Sequence, residues 1–176
     1  MKSSASVSLT LMLVGGLALA TSAGDLTTFE ASGSGTVETN CLVTLAPGCT
    51  ATATGTVSGT PLVAGTFTFR VDTGSPVSLN GYPAHTVGID GASQGICVPG
   101  SFVATLAQGD DTIELAHVGT VCEEAQPGSA YHYQGTYRVT GGTGRFVAAA
   151  GAGTLVGTFT RDTATAHVYL RGAISY

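Results

Sequence analysis

A chain of 176 residues in which only 10% are charged, with six Lys and Arg against eleven Asp and Glu, carries a net charge of −5. That charged share is far below the usual level of roughly a quarter. With one N-terminal lysine and five scattered arginines there is no basic stripe, which excludes tracking along a phosphate backbone, so no nucleic-acid partner is expected.

Residues 1–23 have the form of a secretory signal peptide. Lys2 supplies a positive start, and Val7 to Ala20 is mostly apolar, with Leu9, Leu11, Met12, Leu13, Val14, Leu17 and Leu19. Thr21-Ser22-Ala23 places small residues where a signal peptidase needs them, so cleavage is expected after Ala23. The apolar run is short for a bilayer span, which takes about 20 residues. Cleavage leaves one domain, 24–176, with no stable membrane span, five arginines against eleven acids and a secreted or periplasmic location.

From there the chain is a succession of short β-runs: Phe29–Glu38, Thr50–Ser58, Ala64–Asp72, Ser101–Ala107, Thr112–Val121, Tyr131–Thr140, Gly153–Thr160 and Ala164–Tyr176. About eight strands at this spacing predict an all-β fold, a single antiparallel barrel with a β-sandwich as the alternative. The longest irregular section is 73–100, with Pro76, Pro83 and Pro99. A Gly-Thr-apolar triplet recurs at 35–37, 55–57, 65–67, 119–121, 135–137, 153–155 and 157–159. On a strand the Gly and the apolar residue share a face. An inner face that alternates very small with large suits the tapering interior of a small barrel.

Four cysteines in an exported chain, Cys41, Cys49, Cys97 and Cys122, predict two disulfides. Three pairings are possible. Cys41–Cys49 closing a short loop and Cys97–Cys122 tying 97 to the end of the 112–121 run is the favoured one. No CxxC occurs, and no metal site is expected.

The histidines His85, His117, His132 and His167 stand in no metal-ligand spacing. His132 shares a face with Gln134, Thr136 and Arg138, and His167 with Tyr169 and Arg171. Were these strands neighbours, two His and two Arg would form an anion or carboxylate site; a solvated outer wall is the alternative. Tyr131, Tyr133 and Tyr137 take the opposite face, with Gly135 and Val139. With Phe67 and Phe69 they either pack the core or line a cavity. Tyr133, Tyr137, Phe67, Phe69, His132 and Arg138 are therefore the candidate ligand-binding residues. No catalytic residue and no cofactor site can be named, since GxSxG is absent and 141–144 lacks the Lys-Ser/Thr of a phosphate loop.

The stretch Tyr137–Gly157 is the most distinctive. A strand runs into Gly141, Gly142 and Gly144, where a tight reversal is expected. Phe146 follows as a plug for the core, and 148–153 is uniformly small. The order Gly-Gly-Thr-Gly-Arg-Phe (141–146), then Ala149, Gly151 and Leu155, resembles the dirigent and allene oxide cyclase-like proteins, with a looser echo in His167–Tyr176. The resemblance covers about twenty residues and implies a small antiparallel barrel with a central cavity, often trimeric. It also implies confinement of a hydrophobic molecule: a phenoxy radical in dirigent proteins, a fatty-acid epoxide in the cyclases. The acidic and arginine residues that dirigent proteins use lie outside the matching stretch.

Three functions remain open at this stage. The first is an exported barrel binding a small hydrophobic molecule in its lumen. The second is a dirigent- or cyclase-like enzyme, which additionally needs an ionisable cluster inside. The third is a structural or surface-interaction protein with a packed barrel. The orientation of His132 and Arg138 relative to Tyr133 discriminates among them.

Overall fold

Alternation of apolar and polar residues gives every β-run two unlike faces, and eight such runs in sequence close on themselves. The computed structural model describes residues 25–40, 48–74, 97–123 and 130–176. The strands are β1 (Thr27–Thr39), β2 (Thr50–Thr60), β3 (Gly65–Thr73), β4 (Cys97–Gln108), β5 (Asp111–Glu123), β6 (Ala130–Thr143), β7 (Ala150–Thr160) and β8 (Thr165–Ser175). Each pairs antiparallel with the next, and β8 returns to β1, from Thr27 opposite Ile174 to Thr36 opposite Thr165. The result is the closed barrel expected from the spacing of the runs, and the sandwich alternative falls. Closure also removes every exposed sheet edge. The signal segment and the larger part of 73–100 lie outside the described residues.

The faces follow the pattern. On β5, Ile113, Leu115, His117 and Val121 are buried while Glu114, Ala116 and Thr120 are exposed. In all seven Gly-Thr-apolar triplets the third residue is buried and points inward. The glycines are sockets for rings. A Cβ on Gly119 or Gly135 would collide with the hydroxyl end of Tyr133, and one on Gly153 or Gly172 with that of Tyr137. A Cβ on Gly33 would come within 2.9 Å of the Phe67 ring. Large aromatics therefore fit inside a narrow barrel because the wall opposite them has no side chain.

The 141–146 segment differs from expectation in its detail. The chain does not reverse at Gly141. A bulge shifts the β5–β6 register, so that Glu114 faces Gly141 but Leu115 faces Val139, and pairing continues to Thr112 opposite Thr143. The reversal is a 3-10 turn, Gly144–Phe146. Gly144 has φ +57°, and a Cβ there would also strike the Asp111 carboxylate. The turn drives Phe146 into the end of the barrel, where it is fully buried with its ring 4.8 Å from that of Tyr176. Arg145 locks it in place. Its backbone N–H donates to Asp111 Oδ1 at 3.1 Å and its Nε lies 3.1 Å from Oδ2. Its Nη2 donates to Pro61 O at 3.2 Å and Gln108 Oε1 at 3.1 Å. One side chain thus ties together the β2–β3, β4–β5 and β6–β7 connections. With Phe29, Leu62, Leu106, Ile113 and Ile174, all inaccessible, this end is sealed.

β4 starts four residues earlier than the expected Ser101, because Pro99 does not interrupt it. The Pro99 carbonyl accepts from Gly74 N–H at 3.2 Å, beyond the Thr73–Gly100 pair that ends the β3–β4 ladder. Proline thus sits at the margin of the β3–β4 ladder, where the N–H it lacks does not interrupt the strand.

Candidate functional site

At the end opposite the Phe146 plug the barrel has a mouth. Val37 and Thr39 come from the end of β1, Ala51 from the start of β2 and Val71 and Thr73 from the end of β3. Val121 comes from β5, Tyr131 from the start of β6, Phe159 from β7 and Arg161 from the β7–β8 turn. Together they line a cavity of ≈30 Å³, within a recess of ≈450 Å³ counted out to solvent. The cavity has room for about two waters or one small apolar group. The strand ends flanking residues 41–47, 75–96 and 124–129 all lie at this mouth.

The rim carries the polar groups. Thr73 is buried, and its hydroxyl accepts from Cys49 N–H at 3.1 Å, which extends the β2–β3 ladder to Cys49. Glu123 is buried and stands opposite Tyr131 in register. Burial first and then the Glu123 charge push the Tyr131 phenol pKa up, while Arg161 pulls it down. Tyr131 thus sits within electrostatic reach of an acid and a base, and it is 7% exposed with no hydrogen-bond partner for its hydroxyl.

Below the mouth the lumen is filled. Tyr133, Tyr137, Phe67 and Phe69 all point inward, as alternation requires, and are exposed by no more than 3%. Phe67 and Phe69 meet edge to face at 5.5 Å, Phe69 and His117 at 5.8 Å, and Phe29 and Tyr137 at 5.8 Å. These four sequence-derived candidates are packed core. His132 and Arg138 lie on the opposite face of β6, exposed on the outer wall. A molecule inside the barrel cannot touch them, so the six candidates do not form one site. Nor do the two His and two Arg form one cluster. β7 lies between β6 and β8, and His132, Thr158 and His167 stand in a row across the three strands. Two strand spacings put the histidines about 10 Å apart. Beside His167, Ser32, Ser34, Thr56 and Ser58 border a groove on the outer wall that is open to solvent.

Two inner features were not singled out from the sequence. His117 is buried at 3% exposure, and its Nδ1 shares a hydrogen bond of 2.8 Å with Tyr133 Oη. Burial lowers its pKa from 6.5 to about 3, so the imidazole is neutral, and burial raises the Tyr133 phenol pKa. The signal was present, since His117 is two and four residues beyond Leu115 and Ile113 and shares their face. The mouth cavity had no such signal, because its lining comes from six separated places in the chain. His85 and Cys41 lie outside the described residues. Cys97 and Cys122 stand opposite each other on β4 and β5, and among the described residues no cysteine is free. Also among the described residues, no group of three His, Cys, Asp or Glu is placed to hold a metal ion.

Fold and recess define the class: a closed, eight-stranded antiparallel barrel, plugged at one end and recessed at the other. No family model and no curated protein matches the chain. Among solved structures, one titled pyocyanin demethylase aligns with 83% of this chain and 99% of its own, at 11% identity and a TM-score of 0.42. A likeness this loose carries no inference about function.

Proposed function

We propose that this protein is an exported barrel that holds the apolar end of a small hydrophobic molecule at its mouth. The observation that supports this reading is the recess itself, walled by Val37, Ala51, Val71, Val121 and Phe159 at the one end that Phe146 does not seal. The depth of the lumen is already occupied by rings, so the ligand's place is the mouth. The signal-like residues 1–23 support export to the periplasm or the medium. The Thr- and Ser-rich outer wall supports a water-facing barrel, since a lipid-facing one turns apolar residues outward. Two bridges, Cys41–Cys49 and Cys97–Cys122, belong to the same reading. So does kinship with dirigent and allene oxide cyclase-like barrels through the 141–155 run, with a trimer by that analogy.

A second reading, a structural or surface-interaction barrel without ligand, is favoured by the packing below the mouth. Twelve large side chains there are less than 2% exposed. The enzyme reading has less support: the inner His117–Tyr133 pair is not among the residues that line the cavity.

Native mass spectrometry of residues 24–176, made in an oxidising host and exposed to extract of the source organism, tests the proposal. Val71→Phe, which fills the recess, serves as the comparison. A discrete added mass, lost on denaturation and absent from the variant, is expected, on a chain about 4 Da lighter than its reduced form. A bare species in both would overturn the binding reading in favour of the packed barrel.

A further inference from the structure

We propose that the groove on the outer wall, separate from the mouth, is a binding site for a neutral carbohydrate chain. Its volume is ≈460 Å³, against ≈30 Å³ at the mouth. Sites for small organic molecules run from about 300 to 1,000 Å³. Strands β8, β1 and β2 build it. Ser32 and Ser34 come from β1, Thr56 and Ser58 from β2 and His167 from β8, with Ala64 and Gly65 at the entry to β3. Register sets the hydroxyls in two rows, Ser32 opposite Ser58 and Ser34 opposite Thr56, and His167 stands opposite Ser34 on the other side. All five side chains are exposed, and among the described residues none of the four hydroxyls is engaged by another protein group.

The lining narrows the ligand. Among the described residues that border the groove there is no Asp, Glu, Lys or Arg, so no fixed charge selects an ionic group. A peptide strand has no free sheet edge to join, because the barrel is closed. A serine or threonine hydroxyl both donates and accepts, as a sugar hydroxyl does, so rows of one bond to rows of the other in either sense. Exchanging water for such bonds gains little, and hydroxyls alone would not hold a ligand. The apolar contribution stands beside them. Tyr169 lies opposite Ser32 on one side and Val156 on the other, and Tyr169 and Val156 are 39% and 46% exposed. The Tyr169 hydroxyl donates to Glu30 on β1, which holds the ring before a ligand arrives and lowers the ordering cost of stacking on it. Hydroxyl rows flanked by a held ring and a valine match a molecule with hydroxyl edges and C–H faces, which is the make-up of a pyranose. A wholly apolar molecule would strip water from the hydroxyls and return no bond.

The test titrates cellopentaose, whose equatorial substituents leave flat C–H faces, into the exported chain, 24–176, to millimolar concentration, following backbone amide signals by NMR. The expected result is that shifts are confined to residues 32–34, 56–58 and 167–169. Tyr169→Ala then weakens binding by about fivefold through loss of the stack. Thr56→Val weakens it by about threefold through loss of one hydroxyl, and Thr136→Val, on the outer face of β6, leaves it unchanged. Amide spectra retained away from the groove show that the variants are folded. No shift at any residue, or groove shifts that neither Tyr169→Ala nor Thr56→Val weakens, would overturn the proposal. Shifts centred on Val71 and Val121 would place the sugar at the mouth, overturning the groove assignment while the mouth site stands.

Discussion

Replacing His117 by Gln should flatten the acid limb of this protein's stability curve. The imidazole sits on the inner face of β5, its ring 5.3 Å from that of Tyr133 and 5.8 Å from that of Phe69, with Nδ1 bonded to Tyr133. Burial lowers its pKa in the folded chain from 6.5 to about 3, whereas the unfolded chain keeps the ordinary value. Between those limits the unfolded state binds a proton that the folded state does not, so acid favours unfolding. Above pH 6.5 the group is neutral in both states and contributes no slope. Below it, stability falls by about 1.4 kcal/mol per pH unit, which amounts to about 2 kcal/mol from pH 7 to pH 5 and about 3 by pH 4. Gln can still bond to Tyr133 and does not titrate. The substitution will shift stability at every pH, so the quantity to compare is the difference between the two proteins as a function of pH. Urea unfolding followed by far-ultraviolet circular dichroism, with disulfides intact, gives both curves. The gap between them should close by about 2 kcal/mol from pH 7 to pH 5. A gap constant to pH 4 would falsify the placement of His117 in a dry interior.

Other consequences follow from the same packing. Tyr133→Phe removes the partner of His117 and should cost about 1–2 kcal/mol, while Tyr137→Phe removes a hydroxyl that has no partner and should be neutral or slightly stabilising. Chemical denaturation of the pair side by side decides this, and equal losses would contradict the assigned environments. Gly135→Ala and Gly153→Ala place a methyl group on a tyrosine tip and on the adjacent backbone, so each should cost about 1–3 kcal/mol or prevent folding. The thermal midpoint reads it, and Thr136→Ala, on the outer face, should leave it nearly unmoved. Arg145→Ala frees the plug from Pro61, Gln108 and Asp111, with an expected loss of about 1–3 kcal/mol and faster amide exchange at Phe146 and Val147.

The architecture was legible because strand alternation and Gly-Thr-apolar triplets are local signals. Parity along Ile113, Leu115 and Val121, or along Tyr131 to Val139, fixes which side faces in without knowledge of the partner strand. All eight runs were visible for that reason, and errors fell at their ends. There the deciding contact is non-local: Gly74 meeting Pro99, or the bulge that carries β6 through Gly141 to Thr143. The candidate site was poorly legible for the complementary reason. Parity places Tyr133, Tyr137, Phe67 and Phe69 inside but does not say whether the space between them is empty. That depends on Gly119 and Gly153 admitting ring tips from the neighbouring strand β6, a matter of cross-strand register. His132 and Arg138 looked like site residues because they share a face and could cluster with His167 and Arg171 were β6 and β8 neighbours; β7 lies between those strands, and parity does not show which strands pair.

The glycine sockets also bear on where function can reside. Widening a small barrel enough to hold a ligand at mid-depth would require the rings opposite those glycines to shrink. Here the rings are retained, and Phe146 and Arg145 close one end. The chain therefore invests its distinctive 141–146 run in sealing the barrel rather than in chemistry. Among the described residues, what remains is the last inward layer at the end away from Phe146, where Val37, Val71 and Val121 give way to Tyr131, Thr73, Glu123 and Arg161. In this layer an apolar wall meets polar and charged side chains, the pairing that a molecule with one oily end and one polar end needs. Substitution in the deep layer should therefore act on stability and pH response. Substitution in the mouth layer, Val71→Phe above all, should act on binding.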